Sequence, residues 1–327
     1  MVRRNHIVDI EWSNAMSATE AHVESAPRSI TVSPLAVDIG AEISGVDLSQ
    51  PLSEEQRAEI WDAFNTWKVI FFRDQKLDKA SFVAMSRQFG QLNRGHNIHT
   101  PDPDHPEIYQ VVRGRQKGRL TGVPAFDPWT GWHTDLTPAI NPPTASILWG
   151  DVVPPYGGDT QWTNLAAAYD ALSPTMQGIV DDLRGVHTYM TYAGVTMTQD
   201  LRDRIAANQK TTEHPIVRVH PETGRRALWV SPKFLQEIVG LSPTENESML
   251  AMLKSHAVRP EFTLRFKWTS GSVAMWDNRT TAHLAPIDIQ RTDYDRQLYR
   301  TTTVGDIPYG VDGQKSKSLE GTPLLAA

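Results

Sequence analysis

The chain has 327 residues, 39% of them hydrophobic, enough for one large domain or two ordinary ones with a sizeable core. A net charge of -6, with no basic run longer than a few residues, excludes nucleic acid as the expected partner. Cysteine is absent, which excludes disulfides, Cys-ligated zinc and iron–sulfur clusters and leaves any metal to the 11 histidines and the carboxylates. No run of about 18 apolar residues occurs, so no transmembrane helix or membrane partner is expected. Residues 1–29 lack the apolar region of a secretory signal and read as a flexible extension. These features suit a protein of the reducing cytoplasm.

Regular structure is expected from Ile30 onward. Ile30–Val32 and Ala41–Ile43 read as short strands separated by a turn at Ile39-Gly40. A helix opens after Leu52, with Ser53 as N-cap and Gln56 completing a capping box, and Ile60, Trp61, Phe64 and Trp67 give it an apolar face. Val69–Phe72 reads as a fully buried strand. Asp78–Phe89 reads as a second helix stopped by Gly90. A strand is expected over Glu107–Val112, then a loop over Gly114–Trp129, then a strand over Ala145–Val153. Pro154–Gly158 is a turn leading into Asp159–Trp162. Leu165–Leu172 and Thr175–Leu183 read as helices, and Arg184–Pro215 as an irregular segment of the kind that forms lids. Ile216–Val219 and Ala227–Val230 flank a turn and form a hairpin. A helix from Ser242 to about His256 and strands at Thr263–Trp268, Ser272–Trp276 and Leu298–Val304 follow. Short strands with Gly/Pro turns and a few helices predict a mainly β jelly-roll core with helical insertions. The division expected is an extension (1–29), a domain (30–312) and a tail (313–327).

The chemistry concentrates at Gly131-Trp132-His133-Thr134-Asp135-Leu136-Thr137, which holds the only His-x-Asp of the chain. On an extended segment, residues two apart share a face, so His133 and Asp135 can reach one ion together. His-x-Glu pairs also occur at His22, His105 and His220, but two carry a central proline and the third lies in a polar stretch. Only the His133 pair stands among apolar and aromatic neighbours. It reads either as two thirds of a 2-His-1-carboxylate triad for iron(II) or as a buried His–Asp hydrogen bond. Trp276-Asp277-Asn278-Arg279-Thr280-Thr281-Ala282-His283 offers the third ligand, His283, far enough downstream that only the fold can bring it in. Arg296 and Arg300 stand four apart in a β-type stretch and so face one way. Their planar forks suit carboxylates or sulfonates.

These motifs, in this order, resemble the Fe(II)/2-oxoglutarate-dependent dioxygenases of the taurine dioxygenase (TauD/TfdA) family. Trp132-His133-Thr134-Asp135, Gly157-Gly158-Asp159-Thr160, Trp276–His283, and Arg296 with Arg300 before Thr303-Val304-Gly305-Asp306 carry the likeness, which spans about Ile30 to Pro308. The resemblance implies that His133, Asp135 and His283 ligate Fe(II). It implies that Thr160 and Arg296 hold the distal carboxylate of 2-oxoglutarate, and that Arg300 meets an acidic group of the substrate. It further implies oxidation of a substrate C–H bond with O2 as second cosubstrate, 2-oxoglutarate leaving as succinate and CO2. The segment between His283 and the arginines is about two residues longer than in taurine dioxygenase. Asp135 argues for oxygenation rather than halogenation, because related halogenases lack the carboxylate.

The substrate is expected to be a small organic anion: a sulfonate, a sulfate ester or a carboxylate. By position, His96, His99 and Trp229 are candidate substrate-binding residues, with Phe126 and Trp129 as further pocket walls. The aromatic loop before the triad differs from that of taurine dioxygenase and speaks against taurine itself. Desaturation or cyclisation shares the ligand set with hydroxylation. A non-catalytic β-sandwich binding module would show damage to the triad or the cosubstrate clamp, and neither is damaged; a cupin-type metal enzyme without 2-oxoglutarate would have no need of Thr160 with Arg296. Assembly into dimers or tetramers is common in the family.

Overall fold

The computed structural model describes residues 29–95, 102–113, 127–189 and 199–327. The chain begins with the strands β1 (Thr31–Pro34) and β2 (Ala41–Ser44), followed by the helix α1 (Glu54–Trp67). The capping box forms as expected: Ser53 Oγ accepts from Gln56 N at 3.1 Å and Gln56 Oε1 accepts from Ser53 N at 3.0 Å. Next come β3 (Val69–Phe72), α2 (Lys79–Arg87), β4 (Tyr109–Arg113), β5 (Ala145–Val152) and β6 (Thr160–Asn164). They are followed by α3 (Leu165–Asp170), α4 (Pro174–Asp181), β7 (Arg184–Thr188), α5 (Gln199–Ala207), β8 (Thr211–Pro215) and the hairpin β9 (Val217–Val219) with β10 (Arg226–Leu228). The chain ends with β11 (Leu235–Ile238), α6 (Pro243–Ala257), β12 (Thr263–Phe266), β13 (Val273–Asp277), β14 (Thr281–Leu284), β15 (Arg296–Thr302) and β16 (Lys317–Glu320).

The jelly roll is built from two facing sheets. One has seven strands in the order β1-β2-β3-β13-β5-β15-β4, and the other three in the order β12-β6-β14. Alternation decides what lies between them. Val69 and Phe71 of β3, Ala274 and Trp276 of β13, Leu148 of β5 and Leu298 of β15 point inward, to Trp162 of β6 and Phe266 of β12. Phe71 and Phe266 stack with centroids 4.0 Å apart. Ile70, Phe72, Ile147 and Met275 point outward to Ile60 and Phe64 of α1 and Phe82 of α2. Both faces of β3 are therefore buried, which is why Val-Ile-Phe-Phe reads as a continuous apolar run. Arg296 and Arg300 flank Leu298 at two-residue spacing, so both guanidiniums point into the same interior.

Residues 184–215 correct an expectation. They are not an irregular lid where described: β7 and β8 pair antiparallel, and with β11 and β16 they form a four-stranded sheet in the order β11-β7-β8-β16. Their alternation was obscured because the inward residues include His187 and His214, both fully buried. Partners distant in sequence satisfy both nitrogens of His214 and one of His187, whose Nε2 is buried with no partner among the described residues. His214 Nε2 donates to the Thr137 carbonyl at 2.7 Å, its Nδ1 accepts from Ser316 Oγ at 2.6 Å, and His187 Nδ1 lies 2.9 Å from Thr137 Oγ1. Residues 313–327, set apart as a tail, carry β16 and end with Ala327 N donating to the Leu92 carbonyl at 2.9 Å.

Candidate active site

Three stretches of backbone meet at the site. His133 and His283 face each other across an antiparallel bridge and exchange both hydrogen bonds, His133 N to His283 O at 2.9 Å and His283 N to His133 O at 2.7 Å. Directly opposed residues project to the same side, and the two ring centroids lie 4.2 Å apart. The expected extended run through Asp135 is cut short. The chain turns at Asp135, and Leu136 follows in the left-handed region at φ 51°, a strained place for a leucine. That turn sets Asp135 Oδ1 4.0 Å from His133 Nε2 and 3.9 Å from His283 Nε2. One donor atom of each residue lies within 4.8 Å of the others.

The donor set fits iron(II). Two imidazoles and one carboxylate, with no thiolate, are the ligands of facial-triad iron. His133 Nδ1 donates to the Gly131 carbonyl at 2.9 Å, which fixes the tautomer and leaves Nε2 a lone pair toward Asp135. His283 turns its Nε2 toward Asp135, while its Nδ1 is buried with no hydrogen-bond partner among the described residues. Burial, then His283 and Lys233, hold His133 well below its ordinary pKa. Burial takes His283 down to about 4, with Asp135 opposing and Arg300 adding to the fall. Burial acts to raise the Asp135 carboxyl, but Arg300 and the two imidazoles outweigh it and hold it well below the usual carboxylate range. The site thus presents neutral imidazoles and an ionised carboxylate at neutral pH, the protonation a metal requires.

Asp135 is tightly supported. Ser146 Oγ donates to Asp135 Oδ2 at 2.7 Å, and Asn278 Nδ2 donates to Ser146 Oγ at 2.8 Å. Asp135 N donates back to Asn278 Oδ1 at 3.3 Å. Trp229 Nε1 donates to the Asn278 carbonyl at 3.0 Å. Trp229, expected to line a substrate pocket, is 1% exposed and packs against His187, His214 and Arg218, so it stands behind the site instead. A second buried network fixes the turn that leads to His283. Asp277 Oδ1 accepts from Arg279 N and Nε at 2.9 and 2.8 Å, and Asp277 Oδ2 accepts from His220 Nε2 at 2.9 Å. Arg279 also reaches Glu222, whose Oε2 accepts from Trp61 Nε1 of α1 at 2.7 Å. His220 and Glu222, set aside as a turn, therefore help to hold the Trp276–Arg279 motif.

The two arginines have different surroundings. Arg296 Nε donates to the Gly158 carbonyl at 3.0 Å, and burial draws its pKa down to about 10, with Asp288 and Asp159 opposing. Gly158 sits at φ 72°, and a Cβ there would lie 2.8 Å from Arg296 Cδ, so the approach requires glycine. Thr160 Oγ1 accepts from Trp268 Nε1 at 2.9 Å, which leaves its own proton to donate. Thr160 and Trp162 share a face of β6, and His283 pairs with Trp162 across to β14, so Thr160 looks to the metal side. Arg300 donates from a terminal nitrogen to Asp135 Oδ1 at 2.7 Å and lies 4.9 Å from the centroid of the Tyr109 ring. Its Nε is buried without a partner among the described residues. His96, His99 and Phe126 lie outside the described residues. Ser146, Asn278, Phe234 and Lys233 were not picked out from the sequence; the one available signal was a serine inside the apolar run of β5.

The model of the family described as "Taurine catabolism dioxygenase TauD, TfdA family" matches residues 31–302. The chain belongs to this family. It is 37% identical to the alpha-ketoglutarate-dependent sulfate ester dioxygenase of Pseudomonas putida, over 94% of this chain and 98% of that protein. It is 31% identical to an alkylsulfatase of Acinetobacter baylyi, over 93% of this chain and 94% of that one. The crystal structure of a taurine dioxygenase from Burkholderia xenovorans superposes with a TM-score of 0.80 at 52% identity, covering 90% of this chain and 96% of that one. This TauD/TfdA protein is an alpha-ketoglutarate-dependent dioxygenase, and its reaction uses Fe(II), 2-oxoglutarate and O2.

Proposed function

We propose that the enzyme hydroxylates a C–H bond of a small sulfate ester or sulfonate, with His133, Asp135 and His283 holding Fe(II). The observation that carries this reading is the cluster of those three side chains with Arg300 against its carboxylate, with Asp135, His283 and Arg300 all buried. Iron, 2-oxoglutarate and O2 supply the oxidising power, the cosubstrate leaving as succinate and CO2. The protein's part is placement and exclusion of water. Ser146 fixes Asp135 Oδ2, so Oδ1 faces the imidazoles. Thr160 and the Arg296 fork take the distal carboxylate of 2-oxoglutarate by charge-assisted hydrogen bonds. Arg300 takes the anionic head of the substrate and so sets which carbon stands over the metal. The relatives that act on sulfate esters and alkyl sulfates favour that head group. The cytoplasm, where 2-oxoglutarate is abundant and iron stays ferrous, is the compartment this chemistry needs.

The test is a panel of alkyl sulfates, alkyl sulfonates and aryloxy-carboxylates, with succinate and oxidised product measured together. Succinate release coupled to product for a sulfate or sulfonate is the expected result. Coupled turnover of the carboxylates alone would overturn the head-group assignment.

A further inference from the structure

We propose that Thr212 and His214 of β8, with His187 of β7, are positioning residues for the metal-ligating carboxylate of Asp135. They brace the turn that follows Asp135 and so hold its carboxylate between the two imidazoles. The proposal rests on the reading of His133, Asp135 and His283 as the iron site. Leu136, the residue after the ligand, stands in the left-handed region at φ 51°. A residue with a side chain keeps that conformation only where its surroundings over-determine it. An unbraced turn would relax, and the carboxylate one residue before it would lose its aim. Leu136 is 3% exposed and Thr137 is fully buried, so the turn is fixed by protein groups rather than by bulk water.

The four-stranded sheet supplies those groups. In the antiparallel pair of β7 and β8, His187 lies directly opposite Thr212, and His214 follows Thr212 by two residues, so the three side chains share one face. All three are buried, and all three end on residues 137 and 138. Thr212 Oγ1 donates to the Pro138 carbonyl at 2.7 Å, His214 Nε2 donates to the Thr137 carbonyl at 2.7 Å, and His187 Nδ1 lies 2.9 Å from Thr137 Oγ1. Two consecutive carbonyls are therefore pinned to one strand. Proline has no N–H, so at Pro138 the carbonyl is the one main-chain hydrogen-bonding group there is to pin. The same cluster reaches Asp135 by a second route. Trp229 packs against the rings of His187 and His214 with centroids 5.8 and 4.9 Å away, and its Nε1 donates to the carbonyl of Asn278, whose Oδ1 accepts from Asp135 N. A site whose carboxylate is aimed only a fraction of the time has its metal affinity cut to that fraction. Bracing the turn thus strengthens metal binding without adding a ligand.

The experiment measures Fe(II) binding by calorimetry without oxygen and, on the same proteins without metal, the melting temperature. It compares wild type with Thr212→Val, Thr212→Ser, His214→Leu, His214→Gln and, as the reference for a lost ligand, His133→Ala. Thr212→Val keeps the side-chain shape and removes the donor to Pro138, whereas Thr212→Ser keeps that donor. The amide introduced by His214→Gln can donate where Nε2 did, and His214→Leu cannot. Thr212→Val and His214→Leu are expected to bind Fe(II) about tenfold more weakly at a temperature where both are folded, the lower end of the range for residues that stand behind a ligand. Thr212→Ser and His214→Gln should recover most of that loss. Thr212→Val decides alone if His214→Leu fails to fold. Wild-type affinity in Thr212→Val, whatever its melting temperature, would overturn the brace and leave the iron site standing. Equal losses in Thr212→Val and Thr212→Ser would also overturn it, by tracing the effect to packing rather than to the hydrogen bond. Wild-type affinity in His133→Ala would overturn the triad, and this proposal with it.

Discussion

Asp135 carries more of the site's order than any other side chain, because one oxygen is fixed by Ser146 and the other is set between two imidazoles and Arg300. Ser146→Ala should therefore weaken Fe(II) binding about 10–100-fold, the range for residues that orient a ligand, while thermal stability changes little. Metal titration followed by calorimetry reads this directly, and unchanged affinity would remove Ser146 from the site. Arg296→Ala should raise the KM for 2-oxoglutarate on the order of 10–100-fold, the scale of a lost charge-assisted hydrogen bond, with substrate affinity less affected. If only substrate binding suffers, Arg296 and Arg300 have exchanged roles. At this scale the sequence was informative where chemistry is rare. A lone His-x-Asp among apolar residues and two arginines at β spacing mark themselves. Ser146 and Asn278 did not, because a serine or an asparagine becomes part of a site only through partners far away in the chain.

Among the elements, those with local signals were legible and those stabilised across the fold were not. The capping box of α1, the apolar run of β3 and the β9–β10 hairpin each declare themselves within a few residues. β14 is only four residues long, and β7 and β8 place buried histidines where an apolar residue would reveal the alternation. Those histidines make the four-stranded sheet sensitive to acid. Burial lowers the pKa of His214 from 6.5 to about 3 and that of His187 well below its ordinary value. The unfolded chain takes up these protons first, so folding stability is fully present above pH 6.5 and declines as the pH falls toward about 3. His214→Gln should flatten the slope of stability against pH in that window. Denaturation midpoints measured across it check the claim, and an unchanged slope would assign the acid sensitivity to other groups. The turn from β13 to β14 depends on the Asp277–Arg279–Glu222 network. Asp277→Asn should cost about 3–5 kcal/mol in chemical denaturation, the effect of leaving a buried charge without its partner. A loss below 1 kcal/mol would mean that Glu222 alone suffices.

For the whole molecule, the sandwich and its helical cover bring together residues that are distant in the chain, and the catalytic groups line its interior without forming its core. The two sheets are filled by Trp162, Trp276, Phe71 and Phe266, none of which is a ligand. The backbone bridge between His133 and His283 needs neither imidazole. His133→Ala should therefore abolish turnover while the melting temperature stays within a few degrees of wild type, measured with no metal added. No helix among the described residues is long and apolar enough to cross a membrane. The jelly-roll class was legible from strand lengths, turns and ordered motifs, whereas the bridging of His133 to His283 is a property of the closed fold alone. The central claim is that these two histidines and Asp135 hold one iron to which 2-oxoglutarate chelates. It is tested most directly by adding Fe(II) and then 2-oxoglutarate to the protein without oxygen and recording the visible spectrum. The account predicts a charge-transfer band in the wild type that is absent from both His283→Ala and Asp135→Ala. A wild type that binds iron without the band, or a band that survives in both variants, would contradict it.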